Sequence, residues 1–158
     1  MKKVLAVVMA LVLVLSMTAC GSKADIDGSW KLVSMTINDK DAFEGIDLNA
    51  LAQKGYYLGA TCKDGKGNLT FGDESIEFTY DDKKFEMKND DGTTDYMDYS
   101  RNGDNLSLTK VQDDGKMVVA LKKMTDDEAK KFASQTEEDL EKAILQMVLE
   151  SYGLSADD

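Results

Sequence analysis

The chain has no histidine and no proline, one tryptophan (Trp30), one arginine (Arg101) and two cysteines (Cys20 and Cys62). Without histidine it lacks the commonest acid–base group at neutral pH and the commonest metal ligand, which excludes histidine-based serine triads and zinc sites. Without proline, its turns must be built by glycine, asparagine and aspartate. Two cysteines cannot form a disulfide framework if one of them is used elsewhere, so stability must come from a packed core. Basic charge is also scarce: 19 Lys and Arg stand against 30 Asp and Glu, for a formal net charge of −11. That balance argues against nucleic acid and against docking on an anionic lipid surface through protein charge. Asp64, Asp81, Asp82, Asp90, Asp91, Asp113 and Asp114 all fall in expected turns, where solvated turn formation accounts for them. No loop shows the spacing of a calcium-binding loop, and no glycine loop cradles a phosphate before a helix. The reading is of a protein that is not an enzyme and needs no cofactor or metal.

The long apolar run is Val4 to Leu15, behind Lys2-Lys3. It is too short for a comfortable membrane span and matches the charged start and hydrophobic middle of an export signal. Leu15-Ser16-Met17-Thr18-Ala19-Cys20 resembles a bacterial lipobox, with Met17 where leucine is commoner. That resemblance implies a signal peptide over residues 1–19. It further implies that the Cys20 thiol carries diacylglycerol, with palmitate-type chains, as the first residue of the mature protein. The alternative is an ordinary secretory signal in which Cys20 is incidental. Removing residues 1–19 takes away two lysines and no acid, moving the charge from −11 to −13, so the lipid must do the anchoring. One acyl chain binds marginally and two or more hold well, at about 0.8 kcal/mol per buried methylene. Residues 20–27 read as the lipidated tether. Cys62 is left without an intramolecular partner; in an expected strand, with no imidazole in the chain to activate it, it reads as a buried structural thiol rather than a reactive one.

From Tyr56 to Met124 short strands alternate with tight turns. Asp64-Gly65-Lys66-Gly67, Gly72-Asp73-Glu74, Asp81-Asp82-Lys83, Asp90-Asp91-Gly92, Asn102-Gly103-Asp104 and Asp113-Asp114-Gly115 all tolerate positive φ or bond back to their own backbone. Between them run Tyr56–Lys63, Asn68–Gly72, Ser75–Tyr80, Lys84–Asn89, Thr93–Arg101, Asn105–Gln112 and Lys116–Met124. Period-two alternation is clearest at Ile76, Phe78 and Tyr80 and at Leu106 and Leu108, so one face is buried and one is wet. Expected inward side chains are Phe71, Ile76, Phe78, Tyr80, Phe85, Met87, Leu106 and Leu108. An eighth strand opens the domain at Asp27–Ile37. It is apolar on both faces, so it carries a bulge or is covered on both sides. Between it and the ladder, Asn38 to Gly55 holds a short helix with Asp47 as N-cap and Gly55 as stop, either covering a barrel end or packing its leucines on the core.

After Met124 the period lengthens. Thr125-Asp126-Asp127-Glu128 is a capping box before Ala129, Phe132 and Ala133, and Thr136 opens a second run. There Leu140, Ala143, Ile144, Met147 and Val148 form one apolar stripe ended by Gly153. The outside of the barrel is its expected bed; the alternatives are a partner protein or the membrane surface, which its acidic polar face disfavours. The tail from Ser155 to Asp158 is expected to fray.

Gly28-Ser29-Trp30 resembles the Gly-x-Trp motif of the lipocalins, and Thr94-Asp95-Tyr96-Met97-Asp98-Tyr99 resembles their Thr-Asp-Tyr-x-x-Tyr motif. With Trp-Lys-Leu at the opening and Asp-Gly-x-Gly-x-Leu-Thr-Phe at Asp64 to Phe71, behind a lipobox, the chain is similar to lipocalin-like lipoproteins of Gram-positive bacteria. The arginine that lipocalins place after the last strand is replaced by Lys122 and Lys123. The resemblance implies a mainly β fold: an antiparallel up-and-down eight-stranded β-barrel over residues 28–124, with a short helix after the first strand. A C-terminal helical segment follows over 125–158.

Gly28, Trp30, Thr94, Asp95, Tyr96 and Tyr99 are then structural motif residues, with Trp30 closing the barrel floor rather than touching a ligand. The other end is the expected mouth, rimmed by Phe43, Ile46, Leu48, Leu51, Tyr56 and Tyr57. Two functions remain open. One is an envelope lipoprotein on the outer face of the cell membrane that binds a small apolar or amphipathic molecule. The other is a structural or interaction lipoprotein whose barrel is filled by its own side chains and whose protein partner the sequence does not name. Eight strands allow either.

Overall fold

The computed structural model describes residues 26–71, 74–89, 91–112 and 115–153. The expected signal segment, Cys20, most of the expected tether, the turns at Gly72-Asp73 and Asp113-Asp114, Asp90 and the C-terminal residues 154–158 lie outside the described residues. The strands are β1 (Gly28–Ile37), β2 (Lys40–Asp41), β3 (Gly59–Lys63), β4 (Lys66–Phe71), β5 (Glu74–Tyr80), β6 (Lys84–Lys88), β7 (Thr94–Asn102), β8 (Asn105–Gln112) and β9 (Gly115–Lys123). The helices are α1 (Leu48–Gln53), α2 (Asp126–Ser134) and α3 (Glu137–Ser151). Every strand pairs antiparallel with its neighbour, and β1 also pairs with β9, which closes an eight-stranded barrel. Two-residue β2 is an appendage on the end of β1.

Local chemistry explains the turns. Asp64 and Gly65 both take positive φ between Lys63 and Lys66, the geometry that lets a two-residue hairpin follow the strand twist. β4 therefore starts at Lys66, two residues earlier than the turn chemistry suggests. Gly67 sits inside it, because a Cβ there would lie 2.2 Å from the Phe78 ring: the aromatic covers the glycine across the pair. The Asp81 carboxylate accepts from the backbone N–H of Lys83 and Lys84 and Asp91 from Thr93, each organising its own hairpin. Asn38 and Asp39 also take positive φ and turn β1 into β2. That hairpin falls in the stretch expected only to break the ladder.

The apolar excess of β1 resolves as a bulge. Leu32 pairs with Leu121 but Ser34 with Ala120, so Val33 is the extra residue and points outward. Trp30, Leu32 and Met35 face in. With Leu69, Phe78, Phe85, Met97, Leu106, Leu108, Val119 and Leu121 they build one core. Phe71, expected inward, has no described side chain.

α1 is capped by Asp47, which accepts from Asn49 and Ala50. Ile46 falls one residue before the cap, outside the helix, and Gly55 at φ 89 follows its end. Leu51 is buried in the barrel core, so α1 packs its leucine inward. The capping box at Thr125 and Glu128 forms as expected, and Glu128 also pairs with Lys31 on the outer face of β1. Gln135 then grips the backbone of Tyr57 twice, donating to its carbonyl and accepting from its N–H. α3 buries Leu140, Ala143 and Met147 in the same core. It lies against α1, where Lys54 reaches Glu150 at 3.1 Å. Its bed is thus partly another helix, which the apolar stripe alone did not indicate.

Candidate functional site: the two ends and the outer wall of the barrel

The end where β1 starts is sealed. Trp30 is 0% exposed, its indole donates to the Ile26 carbonyl at 2.7 Å, and its ring lies 5.8 Å from Lys123 Nζ and 5.7 Å from Arg101 Cζ. The cation expected from the end of the last strand is there as Lys123; the second, Arg101, comes from β7 and was not anticipated. Beside them Asp27 accepts from the Tyr80 hydroxyl and from the Asp64 N–H. Burial, with the nearby Asp27 charge, pushes the Cys62 thiol up to about 12. Burial and the Asp27 hydrogen bond raise the Tyr80 phenol as well. Cys62 is thus a neutral core thiol. Phe78, Tyr80, Phe85 and Tyr99 pack together around this end, with ring centroids 4.6–6.2 Å apart: Tyr80 stacks on Phe85, and Tyr99 meets Phe85 edge-on.

The other end differs. Alternation carries Leu106 and Leu108 to Lys110 on β8, and Met97 to Asp95 on β7, so both charged residues point inward. They pair at 2.7 Å, with side chains 15% and 31% exposed. The hydrogen bond from Lys110, reinforced by Asn89, holds the Asp95 carboxyl below the usual carboxylate range. Around them Met35, Ile76, Met87 and Met117 are half-buried and Ile37 is 48% exposed. Asp95 had been singled out only as part of a strand motif.

Of that motif, Tyr96 is exposed beneath Lys84. Tyr99 donates its hydroxyl to the Asp81 carbonyl at 2.6 Å, tying β7 to the β5–β6 turn. Thr94 opens β7 opposite Lys88, and Gly28 opens β1 at φ 125. Of the six expected rim residues, Leu51 and Tyr57 are buried, while Phe43, Ile46, Leu48 and Tyr56 pack half-buried on the core. They form a cover on the core rather than a free-standing rim.

A concavity of about 1120 Å³ lies on the outer wall, along β3 to β6. It is bordered by Thr61, Lys63, Lys66, Glu77, Glu86 and Lys88, which alternate with the buried Ala60, Cys62, Phe78 and Phe85. A smaller one of about 180 Å³ lies outside β1, β9, β8 and β7. Among the described residues no helix is long and apolar enough to cross a membrane. Compared with protein-family models, curated proteins and solved structures, the chain matches none significantly.

Proposed function

We propose that this protein is a lipocalin-like lipoprotein of the bacterial cell envelope, held on the outer face of the cell membrane by a lipid on Cys20. Its barrel is a non-enzymatic binding module that takes a small amphipathic molecule at the end opposite Trp30. The observation that carries the reading is the gradient of burial along the inward faces. From Trp30 through Phe85, Leu106 and Leu121 these side chains are sealed, whereas Met35, Ile37, Met87 and Met117 are not. The open half is walled by flexible thioethers, which adapt to irregular apolar shapes. The Asp95–Lys110 pair adds a polar contact at its edge. Binding pockets of this kind are mostly apolar with a few placed polar groups.

Fluorescence of an environment-sensitive apolar dye with the purified protein tests the reading. Met117→Trp should block the open half and weaken dye binding at least tenfold. Ile144→Ser and Val148→Ser on α3 should leave it within twofold. Leu51 is unsuited to this test because it is core, and its loss would report folding. A protein folded by circular dichroism that binds no dye would end this reading. The interaction lipoprotein with a filled barrel would then replace it, a reading favoured by the position of both concavities outside the wall.

A further inference from the structure

On the outer faces of β3 to β6 the register lines up two rows of polar side chains that run across the strands. In the first, Lys63 stands opposite Lys66, Lys66 opposite Thr79 and Thr79 opposite Glu86. At about 4.8 Å between neighbouring strands this row spans about 14 Å. In the second, about 7 Å further along the strands, Thr61 stands opposite Asn68 and Asn68 opposite Glu77. Both rows line the concavity of about 1120 Å³, and Lys88 borders its β6 side.

The two banks differ in what they offer. The β3–β4 bank donates. Its two lysines lie directly opposite each other, an arrangement of like charges that costs stability. Among the described residues no ion pair or hydrogen bond engages the side chains of Lys63, Lys66 or Lys88. Ser75 Oγ donates to Asn68 Oδ1 at 2.6 Å, so the Asn68 amide keeps its N–H groups for the groove. The β5–β6 bank accepts, through Glu77 and Glu86, which likewise have no described side-chain partner. Three lysines against two glutamates make this wall locally positive on a chain whose formal net charge is −11.

We infer that the concavity binds an acidic polyol chain, a glycan or polyol polymer that carries carboxylate or phosphate groups. An acidic group bridges Lys63 and Lys66 and relieves their repulsion. The hydroxyls of the chain donate to Glu77 and Glu86 and accept from Asn68, a double role that hydroxyl groups fill and other uncharged groups do not. A peptide is served poorly here. Peptides anchor by joining an open ladder or by filling apolar pockets, but β4 is paired on both edges and Cys62, Leu69, Phe78 and Phe85 are buried in the core behind the groove. An acyl chain would strip water from five charged groups. A neutral glycan would leave the lysine pair uncompensated. The site lies on the outer wall and stands apart from binding at the open end.

Isothermal titration calorimetry on the purified protein tests this with two acidic probes, an oligogalacturonate and an oligomer of glycerol phosphate. The methyl ester of the same oligogalacturonate keeps the hydroxyls and loses the charge; oligoglutamate of equal length keeps the charge and loses the hydroxyls. At least one acidic probe should bind tenfold more tightly than either control, and the tighter of the two identifies the acid. Lys63→Gln combined with Lys66→Gln should weaken that binding at least tenfold. So should Thr79→Trp, which fills the middle of the first row without changing the charge. Lys130→Gln combined with Lys142→Gln, which removes as much charge from the exposed faces of α2 and α3, should leave it within twofold. Circular dichroism checks each fold, and if Thr79→Trp does not fold, the two lysine pairs decide. Absence of binding by both acidic probes overturns the site, as does an equal loss from the α2 and α3 lysines, the mark of diffuse attraction. Equal binding of the ester would assign the groove to a neutral glycan, and equal binding of oligoglutamate to an acidic peptide; either result overturns the acidic polyol.

Discussion

Trp30 donates its indole N–H to the carbonyl of Ile26, which is itself fully buried. The residue that seals the barrel thereby fastens the segment leading into it. The sealed end is thus a joint between the segment that precedes β1 and the core.

Trp30→Ala should cost about 3–5 kcal/mol, the usual result of emptying a large buried site. That is a large part of the roughly 5–15 kcal/mol that holds a domain together. Trp30→Phe keeps much of the packing but orphans the Ile26 carbonyl, so it should cost less. Urea unfolding would order the three proteins; a Trp30→Ala protein with the parent's midpoint would contradict the sealed end.

Asp95→Asn should flatten the acid side of the stability curve. The folded Asp95 carboxyl is depressed by Lys110, so its stabilisation is present above its unfolded pKa and is lost as pH falls through the lower folded value. The gap in melting temperature between parent and variant should be widest near neutrality and narrow as pH falls below the ordinary carboxylate value near 3.9. A constant gap from pH 7 to pH 2 would show that the ion pair contributes nothing that titrates.

Cys62 should resist a thiol reagent at pH 8 in the native protein and react at once in denaturant, because its thiol titrates at about 12 and the thiolate is the nucleophile. The linkage has the opposite sign to that of Asp95. The raised thiol favours the fold fully below its unfolded value near 8.5, and that contribution declines as pH climbs toward 12. Rapid native labelling at pH 8 would put Cys62 on the surface.

Cys20→Ala should leave an uncleaved precursor without acyl label, since the thiol is the proposed attachment point. Metabolic labelling with palmitate and the mobility of the product check it; a labelled, processed variant would remove the lipid anchor from the reading.

The barrel was legible because its signals are local. Period-two side chains separated by Asp- and Gly-rich turns place each strand within a few residues, and the capping box at Thr125 places α2. The β2 hairpin was missed although Asn38-Asp39 tolerates the left-handed conformation it needs, because no apolar run follows it. Lys110 was missed although Leu106 and Leu108 on the same parity point it inward, because a charged residue at a strand end is ordinarily solvated.

Closure by β1 and β9 carries a consequence for how the chain acquires its shape. The successive hairpins join neighbours in sequence, whereas Leu32 meets Leu121 only after nearly the whole domain exists. Loop-closure entropy opposes so distant a pairing until intervening contacts have shortened the effective loop. The β1–β9 zipper should therefore form late, and truncating Val119 should speed unfolding far more than it slows folding, whereas truncating Leu69 in the β3–β4–β5 meander should do the reverse. Until that zipper shuts, β1 and β9 both stand open as unpaired edges, each a template for another chain.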